Sequence, residues 1–323
     1  MYRKRLFLLV ICSLYVAAVS AQTNNIRIGE PLLPLEAFQN LDSRKVALGD
    51  LLYHDKRLSA DNSISCASCH NLSSNGSDSR ASSIGIGEAV GPIKAPTVYN
   101  SAYNFVQFWD GRAADLEEQA AGPVHNPIEM GSNWDQVLAK LQQDAKLVGL
   151  FAEAYPDGLN AKNIASAIAD FERSLVTVDS PFDRWLHGYE SALSGSEIRG
   201  YQLFKSYGCS SCHQGRNVGG NMYAYMGAMG DYFADRGKKI IEADLGRFNV
   251  TKDEADRHLF KVPSLRLAAR QEYFFHDGSQ TELKEAIRVM GLYQIGRNIP
   301  DEDISDIAAF LHSLVGTHPR LKP

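Results

Sequence analysis

The chain has 323 residues, 44% apolar, 22% charged and 10% aromatic, proportions of an ordinary globular protein that exclude a disordered or low-complexity chain. Its length suits about two domains. With a net charge of −5 and scattered Lys and Arg it offers no surface to a polyanion, so nucleic acid is excluded as a partner, and five cysteines are too few for a disulfide scaffold.

Residues 1–21 read as a cleaved secretory signal: Arg3, Lys4 and Arg5 precede an apolar run from Leu6 to Val19, and Val19-Ser20-Ala21 ends it with small residues. The run is shorter than the ~20 residues that cross a bilayer, which argues against an uncleaved anchor. Cys12 leaves with the signal, and the mature chain is expected to be exported without a membrane span. Gly49-Asp50-Leu51-Leu52 leads into Cys66-Ala67-Ser68-Cys69-His70, and Gly200-Tyr201-Gln202-Leu203-Phe204 leads into Cys209-Ser210-Ser211-Cys212-His213, as in a duplicated module. Between them, Asn71 to Pro96 is aperiodic and reads as loop, whereas Ile164, Ile168, Phe171 and Leu175 line one face of a helix over Asn163 to Thr177. A boundary near Asp179-Ser180-Pro181 divides the mature chain into residues 22–180 and 181–323, with one motif each. Ser194-x-x-Glu197 predicts a capping box before Ile198 to Ser206. Gln214 to Gly246 is a second aperiodic loop, Lys284 to Gly291 a short helical stretch, and Asp301 to Val315 an amphipathic helix with acids in its first turn and Gly316 as a stop. Alternating strands are scarce, so the fold class is mainly α.

Cys-x-x-Cys-His is the attachment signature of c-type haem. Two thiols three positions apart share one side of a helical turn and can each bond a haem vinyl, while the next histidine reaches the iron. A shared four-cysteine zinc site would need its pairs closer than the 139 residues between Cys69 and Cys209. No βαβ pattern supports thioredoxin-like pairs, and disulfides between such near neighbours are strained. Two covalently bound haems are therefore expected, held by Cys66, Cys69 and His70, and by Cys209, Cys212 and His213. What each iron does depends on its sixth ligand, for which Met290 is a candidate.

The sequence resembles the bacterial dihaem cytochrome c peroxidases, carried by Phe108-Trp109-Asp110-Gly111-Arg112-Ala113-Ala114-Asp115-Leu116, Gly122-Pro123-Val124, Ile128-Glu129-Met130, Asn217-Val218-Gly219-Gly220 and Glu285 to Gly291, in family order around both motifs. The resemblance implies two cytochrome c-like haem domains with long irregular loops, in the periplasm. It makes His70 the proximal ligand of a peroxidatic haem, and His213 and Met290 the ligands of an electron-accepting haem. Trp109 matches the tryptophan between the haems, Glu129 the acid over the open face, and Gln119 the amide beside it. His276 matches a histidine near the second haem that contacts a propionate. The implied reaction reduces H2O2 to water with electrons from a small cytochrome c or cupredoxin, and the implied assembly is a homodimer.

Two positions depart from the family. Ile86 stands where many members have a histidine that caps the peroxidatic iron at rest, and isoleucine cannot coordinate, so activity without reductive activation is expected. Lys94 replaces an asparagine that supplies a Ca2+ ligand, and its ammonium argues against Ca2+ there, the other ligands being backbone carbonyls near Gln271 and Tyr273. Two rival functions are a peroxide-driven dihaem oxidase of a partner protein and a non-catalytic dihaem electron carrier. The oxidase resembling this chain has tyrosine where Met290 stands, and a carrier needs neither Glu129 nor Gln119.

Overall fold

The computed structural model describes residues 26–322, so the proposed signal at residues 1–21 lies outside it. The first half opens with α1 (Ser43–Tyr53), capped by the Asp42 carboxylate, and reaches the first motif at α2 (Cys66–Cys69). After a long irregular stretch come α3 (Leu116–His125), α4 (Trp134–Leu141), α5 (Ala145–Ala154) and α6 (Ala161–Ser174). The second half contains α7 (Pro181–Leu186), α8 (Gly195–Ser206), α9 (Tyr232–Asp235), α10 (Phe248–Thr251), α11 (Leu283–Val289) and α12 (Asp301–Ser313). β1 (Tyr223–Tyr225) and β2 (Leu259–Lys261) form an antiparallel pair with Tyr223 opposite Lys261. Among the described residues no helix is long and apolar enough to cross a membrane.

The periodic positions do what their spacing predicts. Ile164, Ile168, Phe171 and Leu175 are buried, as are Ile304, Ile307, Ala308, Leu311 and Leu314. The Ser194 hydroxyl accepts from the Glu197 N–H at 3.3 Å and the Glu197 carboxylate accepts from the Ser194 N–H at 2.6 Å, completing the capping box. Gly316 ends the last helix because the chain there runs back against residue 177: a Cβ on it would lie 2.3 Å from the Thr177 oxygen.

The duplication is visible in how each half packs. α1 crosses α6 at Gly49, where a Cβ would stand 1.9 Å from the Ala167 oxygen, and α8 crosses α12 at Gly200, where it would stand 1.9 Å from the Asp306 oxygen. In both crossings the aromatic four residues further on, Phe171 or Phe310, closes the contact. These are helix pairs whose backbones touch, so only glycine fits. Gly200→Val is expected to cost about 3 kcal/mol, the upper end for overpacking, and to lower the unfolding midpoint in chemical denaturation.

Both ends of the described residues cross to the opposite half. Leu32 is fully buried in the second core, with the Gly215 N–H donating to the Pro31 oxygen at 2.9 Å. Arg266, buried completely, donates to the Asp183 carboxylate and to the Leu33 oxygen, each at 2.7 Å. At the other end the Lys322 N–H donates to the Ser73 oxygen at 3.1 Å, beside the first motif.

Candidate active site

Each Cys-x-x-Cys-His segment is a single tight turn following the helix that opens its core, α2 in the first half and a 3-10 turn, Cys209–Ser211, in the second. None of the four cysteines is in a disulfide. Burial pushes the Cys66 thiol up to about 12 and the Cys209 thiol up to about 11, and raises Cys69 and Cys212 as well. Cys66 packs with Tyr53 and Leu72 in the first half, whereas Cys209 packs with Phe204 and Ile287 in the second. The pairs thus stand in separate cores and no shared zinc site forms.

The two histidines are prepared alike. His70 Nδ1 lies 3.1 Å from the Gly76 oxygen and His213 Nδ1 lies 3.4 Å from the Val218 oxygen. A carbonyl acceptor puts the proton on Nδ1 and leaves Nε2 a lone pair, the arrangement that orients a metal-ligating imidazole. Burial lowers both pKa values, that of His213 to about 4, so both rings are neutral at pH 7. Paired thiols on one turn beside a neutral, pre-oriented imidazole fit a haem bound at each motif. Met290 follows α11 at the start of a π turn, Met290–Gln294, and is half-buried. The Gln294 side chain ties that turn to the 225–227 loop through the Tyr225 oxygen at 2.6 Å and the Gly227 N–H at 3.1 Å. Ile287 of α11 shares its core with Cys209, which puts the thioether in the half that holds His213.

Glu129 sits at the end of the loop after α3, and Gln119 lies half-buried within that helix. The Asn126 amide donates to Glu129 Oε1 at 2.7 Å. Burial raises the Glu129 pKa, opposed by the Arg112 guanidinium and that amide. Ile86 is in the same place: its N–H donates to the Glu129 oxygen at 2.9 Å. Its Cδ1 would lie 2.3 Å from a Cβ on Gly131, which is held at φ +57°. The segments that carry the aligned departure and the candidate acid are therefore bonded to each other through their backbones, on loops that neither propensity nor periodicity could have joined. Asn126 was missed by sequence reasoning, although Asn-Pro three residues before a Glu is a readable turn signal. His125 turns to the Trp134 ring, 5.5 Å away.

Trp109 links the halves. Its indole N–H donates to the Lys94 oxygen at 2.9 Å, and its own carbonyl accepts from the Lys261 N–H at 2.8 Å. The Lys94 N–H in turn donates to the His276 oxygen at 2.8 Å. His276 lies 6.3 Å from the indole and stacks on Phe260 at 4.6 Å. Its Nε2 is occupied by Asp244 at 2.8 Å, which leaves only Nδ1 for the propionate contact that the resemblance implied. Asp244 also pairs with Arg236, whose other bond, 2.9 Å long, goes to Asp277.

Lys94 is 2% exposed, and its ammonium donates to the backbone oxygens of Asp78 and Arg80, the latter at 3.0 Å, while lying 5.6 Å from the Tyr273 ring. The ammonium stands between the Asp78 and Arg80 oxygens and the Tyr273 ring, and a fixed cation there repels a second one, so this lining does not fit Ca2+.

Two helical halves each carry one Cys-x-x-Cys-His turn, and Trp109 is hydrogen-bonded to both Lys94 and Lys261, an arrangement suited to two haems. Residues 43–191 match the profile described as di-haem cytochrome c peroxidase. The chain is 42% identical to cytochrome c551 peroxidase of Nitrosomonas europaea, covering 99% of this chain and 94% of that protein. It is 51% identical to cytochrome c peroxidase Ccp of Escherichia coli over 90% of this chain, and spans 62% of that longer protein. A methylamine utilization protein MauG from Methylorubrum extorquens is more distant, at 37% over 76% of this chain and 68% of that one. Among solved structures, a MauG-like protein associated with microbial copper homeostasis superposes with a TM-score of 0.78 at 26% identity, covering 92% of this chain and 98% of that one. The chain belongs to the di-haem cytochrome c peroxidase family, and is an oxidoreductase of that class.

Proposed function

We propose that the chain is a periplasmic peroxidase with one covalent haem at each motif, reducing H2O2 to two waters with two protons and two electrons from a small cytochrome c or cupredoxin. The observation that supports this reading is the backbone bond from the Ile86 N–H to the Glu129 carbonyl, which sets the candidate acid on the same segment pair as a residue that cannot coordinate iron. The haems would supply the iron that meets peroxide at the first motif and the iron that accepts donor electrons at the second. Asn126 holds Glu129 Oε1, leaving Oε2 to take a proton from one oxygen of H2O2 and return it to the other, so that water can leave. Gln119 orients the peroxide. Trp109, fixed at its indole N–H by Lys94 and at its carbonyl by Lys261, carries electrons between the halves. Met290 would be the second protein ligand, with His213, for the haem of the second motif.

Lys94 takes the place of Ca2+, its ammonium held by the Asp78 and Arg80 oxygens and its N–H joining the second half at His276. The test is a stopped-flow assay of reduced cytochrome c with H2O2, on protein shown by pyridine haemochrome to carry two haems per chain. Peroxide-dependent oxidation at an undiminished rate after EDTA treatment is expected. Absence of turnover refutes the peroxidase reading, and loss of rate restored by Ca2+ refutes the role of Lys94.

A further inference from the structure

Lys261 is a buried cation without a counter-charge. It ends β2 with 6% of its surface exposed, and among the described residues its ammonium has neither a hydrogen-bond acceptor nor a carboxylate within salt-bridge distance. Burial alone pulls its pKa down to about 8. Carboxylates on the adjoining segments are engaged elsewhere: Asp110 by Arg112 at 2.9 Å, Asp256 by Arg247 at 3.8 Å, and Asp244 and Asp277 by Arg236. A lysine held largely out of water with no carboxylate beside it is a ready seat for an anion.

The position of Lys261 identifies that anion. Its N–H holds the Trp109 carbonyl at 2.8 Å. Two residues on, the Pro263 oxygen lies beside Gly219, next to the ring of His213. A Cβ on Gly219 would lie 2.2 Å from that oxygen and 3.3 Å from His213 Nδ1, so this strand runs directly past the second centre. Strand alternation turns Lys261 away from Phe260, which faces His276, and places it on the other side of the ribbon. We infer that Lys261 receives a propionate carboxylate of the haem held by Cys209 and Cys212, fixing a positive charge between Trp109 and His213. The inference rests on the haem reading proposed above. A cation at this point favours the reduced, less positive state of that haem, which makes the second centre the better electron acceptor.

The test is a spectroelectrochemical titration of the holoprotein carrying Lys261→Met. The reduction equilibrium of the second haem should shift at least tenfold toward the oxidised state, a drop of about 59 mV for one electron, with the first haem unchanged and Lys261→Arg restoring the parent value. Should the methionine variant fail to hold its second haem, Lys261→Gln gives the same readout. An unchanged second-haem potential in a variant carrying two haems overturns the inference, as does an equal shift at both haems, the signature of general damage. A parent protein lacking haem by pyridine haemochrome overturns the haem reading itself, an outcome separate from the other two.

Discussion

Glu129→Gln is expected to lower kcat with H2O2 by about 10²–10⁴-fold while leaving the spectra of both haems as in the parent chain. The amide keeps the size of the carboxylate and its bond from Asn126, and loses only the capacity to take and return a proton. Rapid-mixing turnover with reduced cytochrome c is the measurement, and retained turnover refutes the role. The same group sets a pH dependence. A base must be ionised, and burial raises the Glu129 pKa above the ordinary 4.5, so kcat/KM should rise with pH through a midpoint above that value. The glutamine variant should lack this limb.

Ile86→His should convert a protein active in its oxidised state into one that needs prior reduction. The parent is expected to show a high-spin ferric signal and immediate turnover, because the side chain above the first centre cannot coordinate. An imidazole at that point competes with peroxide. If the capped form outnumbers the open one ten to one, the apparent rate falls about tenfold until the cap is released. EPR of the oxidised variant should show the high-spin signal replaced by a low-spin one. A parent that is already entirely low-spin and inactive before reduction would overturn this account.

Local chemistry was legible from the sequence, and long-range placement was legible only through resemblance. The haem turns, the capping box at Ser194 and the buried faces of α6 and α12 follow from spacings of three and four, which report a helix without any knowledge of its neighbours. Glu129 reads as an ordinary loop acid, because the Ile86 segment bonded to it lies 43 residues away in an aperiodic stretch. Lys94 was flagged by its charge, yet its burial against backbone oxygens and its grip on Trp109 needed coordinates. Lys261 escaped notice altogether. Leu259-Phe260-Lys261-Val262 is a short apolar run with one charge, and such a lysine normally snorkels to water. His276 was found through its family position, but its bond to Asp244 joins residues 32 apart in loops without a period.

The crossing of the chain ends governs how the molecule can assemble. Leu32 is among the first folded residues to be made, and its partner Gly215 comes late, so closing that contact requires a loop of more than half the chain. Contacts of this separation form slowly, so the second core closes late. A cut near residue 180 would leave each fragment without a strip that the other carries. Cleavage within residues 27–36 should accordingly loosen the surroundings of His213 more than those of His70, so that damage at the start of the chain appears first in its second half.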